Sequence, residues 1–378
     1  MNQKIFLCLF GSGLLLTTPF ISQAVSQENK QSTSSIKTYV VEFKDSVRKS
    51  RVPLVAARIA RDNGGVLKHT YQNTIKGAAI KIPEARKGRL LRNRNVKRLE
   101  EDRKFKIVAP GKKPVRDSND TSAPAQETPW GITRIGGTAN GTGKTVWVID
   151  TGIDLNHPDL NVNSKIGFNA FSGKEGRSTD DGNGHGTHVA GTIAALDNDF
   201  GVVGVAAGAT VVPIKVLSSD GSGTTSGVIA GVDHVAANAS PGDVANMSLG
   251  GGVSPILDEV VVNAATTGIK FVLAAGNESD NVNNHSPARV EGTNIYTVSA
   301  LANGDKWANF SNFGNPSIDF SAPGVNIKST WNDGGYRTIS GTSMAAPHVA
   351  GIVLLGNINT DSTVIGDPDD NPDPIAHR

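Results

Sequence analysis

From residue 145 onward, short apolar runs alternate with longer stretches whose apolar positions fall along one side of a helix. Residues 145–149 form a continuous apolar run that ends at Asp150, the pattern of a parallel strand buried on both faces. Further strands are predicted at 210–217, 243–249, 269–275 and 295–300. Helices are predicted at 189–196, 226–238 and 257–267, and the apolar run that follows Ser343 has the length of one more buried helix. Strand alternating with helix predicts an α/β domain, a parallel sheet with helices on both faces.

Residues 25–124 follow a different pattern. Strands are predicted at 39–43, 66–71, 77–82 and 96–107, and helices at 53–62 and 86–93. That order predicts a small α+β domain. Residues 109–124 carry Pro, Gly, Lys, Asp and Ser, and read as an exposed linker open to proteolysis. At the other end, residues 357–378 are acidic and Pro-rich, a tail unlike a helix.

Composition then changes the picture in three ways. Lys4, an apolar run over residues 5–16 and the small-residue site Ser22-Gln23-Ala24 read as a signal peptide, residues 1–24. This predicts a secreted protein, in the extracellular space or the periplasm, with no membrane anchor after cleavage. The one cysteine, Cys8, lies in that leader, so disulfides cannot stabilise the mature chain. The net charge of +2 hides an asymmetry. Residues 25–124 hold 24 Lys+Arg against 10 Asp+Glu, whereas residues 125–378 hold 12 against 25. The basic charges are spread through strand-like segments instead of run together. This points to two halves that dock on each other rather than to nucleic acid.

The candidate chemistry sits where the apolar runs end. Asp150 stands at the C-terminal end of a strand, where open α/β sheets place their sites, although an Asp there is also a common turn former. His185 and His188 fall one turn apart at a helix start. No acidic or third His ligand lies at zinc-site spacing, so one catalytic imidazole and one packed histidine is the better reading. Ser343 opens a helix, as either a plain cap or an acyl-transfer nucleophile at a helix N-terminus.

Three motifs carry a resemblance: VIDTGIDLNHPDL from Val148, GHGTHVAGT from Gly184 and SGTSMAAPHVAG from Ser340. In this Asp, His, Ser order the chain resembles the subtilisin-like serine proteases, in their secreted, calcium-binding branch. The resemblance covers residues 125 to about 356, and residues 25–124 are similar to the family's inhibitory prosegment. It implies Ser343 as nucleophile, His185 as base, Asp150 as its orienting carboxylate and Asn277 as an oxyanion donor. It implies substrate strands at Gly221, Ser222, Gly223 and at Ser248, Leu249, Gly250, with Ala274, Ala275 and Gly276 walling the P1 pocket and residues 279–289 flooring it. It further implies a structural Ca²⁺ site from the side chains of Gln126, Asp159 and Asn198 and the carbonyls of Leu196, Phe200 and Val202. The expected protein is a monomeric endopeptidase that cuts polypeptides, is blocked by its own prosegment and matures near Ala125. The alternatives are an inactive binding relative of the same fold, or a peptide ligase using the same acyl-enzyme.

Overall fold

The computed structural model describes residues 35–107, 125–356 and 358–378. The expected leader and the linker at 109–124 lie outside the described residues.

The main sheet runs through β6 (Thr145–Asp150), β7 (Thr210–Lys215), β9 (Val244–Met247), β10 (Lys270–Ala274), β11 (Ile295–Ala302) and β12 (Phe320–Pro323). Its spatial order is β12-β11-β10-β9-β6-β7, every pair parallel, with Asn161–Val162 beyond β7. Both faces are covered, which is why these strands read as unbroken apolar runs. In β6, Val146 and Val148 pack with α4 (His185–Ala194) and α7 (Thr342–Leu355). Trp147 and Ile149 face the opposite way, onto α5 (Thr225–Asn238) and α6 (Pro255–Ala265).

The small domain holds β1 (Ile36–Phe43), α1 (Val52–Asp62), β2 (Val66–Tyr71), β3 (Gly77–Pro83), α2 (Lys87–Leu91), β4 (Val96–Glu101) and β5 (Lys104–Lys106). The first four strands form an antiparallel sheet in the order β2-β3-β1-β4. One face packs Tyr39, Val41, Phe43, Ile80 and Ile82 against Ala56 and Ile59 of its own α1. The other face adds Val40, Tyr71 and Ala79 to the core around α5 and α6 of the large domain.

Several expectations need correction. The strand expected over 96–107 is two strands, because the chain leaves the small sheet after Glu101 and β5 pairs elsewhere. The helix expected over 86–93 shrinks to α2 behind a single 3₁₀ turn at Glu84–Arg86, with Gly88 inside it. The helix expected at 189–196 begins earlier, at His185, and ends at Ala194. The acidic end is no loose tail: β15 (Asn359–Thr363) and β16 (Pro374–His377) form a hairpin, and β16 joins β12 in parallel. Asp373 is buried there, taking the Ser299 hydroxyl at 2.5 Å. A further hairpin, β13 (Ile327–Trp331) with β14 (Gly335–Ile339), was not foreseen.

Charge also works differently from expectation. Arg98 and Lys97 do pair with Glu259 of α6. More of the polar docking comes from carboxylates at helix N-termini. Asp102 takes the Ser226 N–H and hydroxyl at 2.8 and 2.7 Å, at the start of α5. Glu100 takes the Ile256 N–H and the Ser254 hydroxyl, at the start of α6. Free N–H groups and the helix dipole favour an acid there, even one from a basic partner. Asp233 of α5 works in the reverse direction and accepts the N–H groups of Gln72, Asn73 and Thr74.

Candidate active site

β6 delivers Asp150 to the carboxyl edge of the sheet, fully buried, where its Oδ1 accepts the Thr151 N–H at 2.7 Å. His185 opens α4 directly after Gly184. Gly184 has φ 107°, and a β-carbon there would meet the Trp331 indole, so only glycine fits this turn. Asp181 pins the same turn through the N–H groups of Asn183, Gly184 and Thr187.

These two elements place His185 Nδ1 at 2.8 and 3.0 Å from the Asp150 carboxylate oxygens. Burial opposes a charge on the imidazole. The charge and hydrogen bond of Asp150, with Asp181 behind it, outweigh burial and hold the His185 pKa above its ordinary value. His188 does not join them. Its Nε2 faces the carbonyls of Ile327 and Arg337, and burial pushes its pKa down to about 3. It is the packed histidine of the pair.

Ser343 is the second residue of α7, preceded by Gly341 and Thr342. Its Oγ donates to the Ser248 carbonyl at 3.1 Å. Asn277 lies across the same turn and accepts the Thr342 N–H at 2.8 Å and the Thr342 hydroxyl at 3.0 Å through Oδ1. Those two bonds fix the amide's orientation, so Nδ2 is the end turned away from Thr342.

One pocket gathers Ser248, Leu249, Gly250, Ala274, Ala275, Gly276 and Asn277 beside Ser343. Of the stretch expected as its floor, His285 and Ala288 line it, and Glu278 joins them. Gly221, Ser222 and Gly223 lie on the other side of the cleft. There β8 (Ser222–Thr224) pairs antiparallel with β5 of the small domain, and the Ile107 N–H reaches the Gly221 carbonyl at 2.9 Å. Ile107 also lines the pocket that holds Ser343. Phe105 is buried against Gly251. The small domain thus occupies the cleft as an extended peptide.

Thr342, Asp181 and Glu278 were not singled out from the sequence. Nothing in the spacing marks Asp181 as the residue that pins the helix start.

The residues expected to hold calcium also converge. Asp159 is buried and accepts from Asn198 Nδ2 at 2.9 Å, the Val202 N–H at 3.2 Å and the Tyr336 hydroxyl at 3.1 Å. Gln126 Oε1 takes the Asn198 N–H at 2.6 Å. Leu196 donates its N–H to the Asp159 carbonyl, and Ala125 bridges to Phe200. Burial raises the Asp159 pKa. Asp159 supplies a buried carboxylate and Gln126 an amide oxygen, which suit Ca²⁺, but Asn198 turns its amide nitrogen to Asp159 and its Oδ1 to the Phe200 N–H at 2.9 Å, so its oxygen would join a cage only with that amide turned over. Among the described residues no three His, Cys, Asp or Glu side chains gather as a metal cluster, so the cage would depend on amide and carbonyl oxygens.

Comparison with known proteins gives the family. Residues 141–357 match the Subtilase family. The chain is 48% identical over 250 residues to alkaline serine exoprotease A of Vibrio alginolyticus, covering 63% of this chain and 44% of that protein. It is 39% identical over 305 residues to an extracellular serine proteinase of a Thermus species, covering 77% of this chain and 68% of that one. Subtilisin J of Geobacillus stearothermophilus is 36% identical over 365 residues, 94% of this chain and 88% of its own. Among solved structures, a cold-adapted subtilisin-like serine proteinase superposes with a TM-score of 0.59 at 41% identity, covering 66% of this chain and 97% of that one.

Proposed function

Because this chain belongs to the subtilase family of serine endopeptidases, we propose that it is a secreted protease made as a self-processing zymogen. Extended polypeptides are its substrates, and residues 25–124 are its own inhibitor. In this reading Ser343 Oγ leaves the Ser248 carbonyl, passes its proton to His185 Nε2 and attacks the scissile carbonyl. Asp150 holds the other ring nitrogen and favours the imidazolium that forms. Asn277 Nδ2 donates to the oxyanion, and the Thr342 bonds to its Oδ1 keep it aimed. His185 then gives its proton to the leaving amine as the peptide C–N bond breaks, and the ester left on Ser343 is hydrolysed by a water whose proton His185 takes and returns to Ser343 Oγ. Gln126, Asp159 and Asn198 would hold a structural Ca²⁺ that ties the start of the mature chain at Ala125 to the loop around Phe200.

The observation that carries the proposal is the pairing of β5 with β8, which leaves Ile107 beside Ser343. Peptide main chain in that groove is what a protease of broad specificity binds. Among the described residues no helix is long and apolar enough to cross a membrane. Secretion is further supported by the relative named as extracellular. The first cut falls beyond Ile107, and trimming then leaves a start near Ala125. The test is the mass and N-terminal sequence of the purified chain beside Ser343→Ala. The native chain should lose roughly its first hundred residues, while the variant stays whole. Equal processing of both chains would falsify self-cleavage.

A further inference from the structure

Helix α7 contains a proline, Pro347, four residues after Ser343. In an α-helix the carbonyl of one residue accepts from the N–H four residues later. Pro347 has no N–H, and its ring crowds the carbonyl it should have satisfied. The carbonyl left without its helical donor is that of Ser343, on a helix buried from Thr342 to Leu354.

A side chain supplies the missing donor. Ser248 Oγ donates to the Ser343 carbonyl at 2.9 Å. The same oxygen accepts from Asn246 Nδ2 at 2.8 Å. The amide nitrogen can only donate, so the Ser248 proton is left for Ser343. Ser248 and Asn246 are 1% and 0% exposed, and among the described residues Asn246 Oδ1 has no hydrogen-bond partner. An amide kept buried with one end unpaired suggests that its other end has a task.

The two serines therefore exchange two bonds, because Ser343 Oγ donates back to the Ser248 carbonyl. Only that second bond breaks when Ser343 Oγ turns toward His185. The bond from the Ser248 hydroxyl does not depend on that rotation.

We propose that the Ser248 hydroxyl, oriented by Asn246, is a positioning group for the nucleophile that replaces the backbone donor Pro347 removes. It holds the Ser343 peptide still while Oγ moves between the Ser248 carbonyl and His185. The proposal rests on reading Ser343 as the nucleophile.

Five processed enzymes test it: the native one, Ser248→Ala, Ser248→Cys, Pro347→Ala and the double variant of Ser248→Ala with Pro347→Ala. Each is first quantified by its acylation burst with an active-site titrant. Ser248→Ala should lower kcat about tenfold, the worth of one buried hydrogen bond. KM should stay within about twofold, since the backbone of residues 248–250 is unchanged. Ser248→Cys, a weaker donor of similar volume, should fall between. Pro347→Ala restores an N–H four residues after Ser343, so in that background Ser248→Ala should cost less than about threefold. Equal losses in both backgrounds overturn the proposal, as does a raised KM with kcat unchanged. The absence of a burst in the native enzyme overturns the nucleophile reading itself, and this proposal with it.

Discussion

The small domain touches the large one in two places, by different physics. In the cleft it offers main chain: β5 lies along β8, and one side chain, Phe105, is buried against Gly251. On the α5–α6 face it offers side chains. Val40, Tyr71 and Ala79 are buried there, Glu100 and Asp102 cap two helices, and Asp233 binds three successive N–H groups. The first contact resembles substrate and is open to competition by any extended peptide. The second is specific to this partner and leaves the catalytic groups untouched. Under the proposed function, inhibition would reside in one region and affinity in the other.

The sharpest way to separate them is Asp150→Asn, with the small domain cut off by an added protease because this variant barely processes itself. It should lower kcat by about 10³–10⁴ and, in the uncut chain, leave the α5–α6 contacts alone. It should also move the acid limb of activity. Activity needs neutral His185, whose pKa is raised, so the native enzyme loses activity as pH falls through that raised value. Without the Asp150 charge the limb should shift to lower pH in a kcat/KM profile. An unmoved limb would mean that another group controls it.

Asp233→Ala tests the other region. It strands the N–H groups of residues 72–74, a loss of roughly 2–4 kcal/mol from docking. Peptide hydrolysis should therefore begin about 10²-fold sooner after processing, with kcat of the mature enzyme unchanged. If the lag is unaffected, affinity does not reside on α5. The smallest effect concerns a third place, the loop around Asp159. Chelation should lower the melting temperature of the processed enzyme by about 5–10 °C. The docked small domain should stay bound, because Gln126, Asp159 and Asn198 make none of its contacts described above.

The apolar runs marked Asp150, His185 and Ser343 only as candidates, each with an ordinary reading as turn former, packed histidine or helix cap, and the three motifs together supplied the roles. Asn277 and the Asp159 loop needed the resemblance, since an Asn after a strand or a polar loop is ordinary chemistry. The docking carboxylates were hidden for a physical reason. Glu100 and Asp102 sit in a basic segment, and net charge pointed to lysines and arginines instead. Their partners are helix N–H groups, which no side-chain pattern announces. The end of the chain was misread because Asp373 looks solvated in sequence. In the fold it bonds Ser299, and burial raises its pKa to about 7.

The antiparallel sheet of the small domain has apolar residues on both faces, and only one is covered by its own helix. While docked, Val40, Tyr71 and Ala79 are dry. Once it leaves α5 and α6, that face meets water, and the core under α1 alone is left to hold a small domain together. Departure therefore weakens the domain, and under the proposed function an opened chain would be food for the enzyme it has just left. Under the proposed function the arrangement would behave as a fuse and not as a latch: it would delay activity once, with nothing left to reset it.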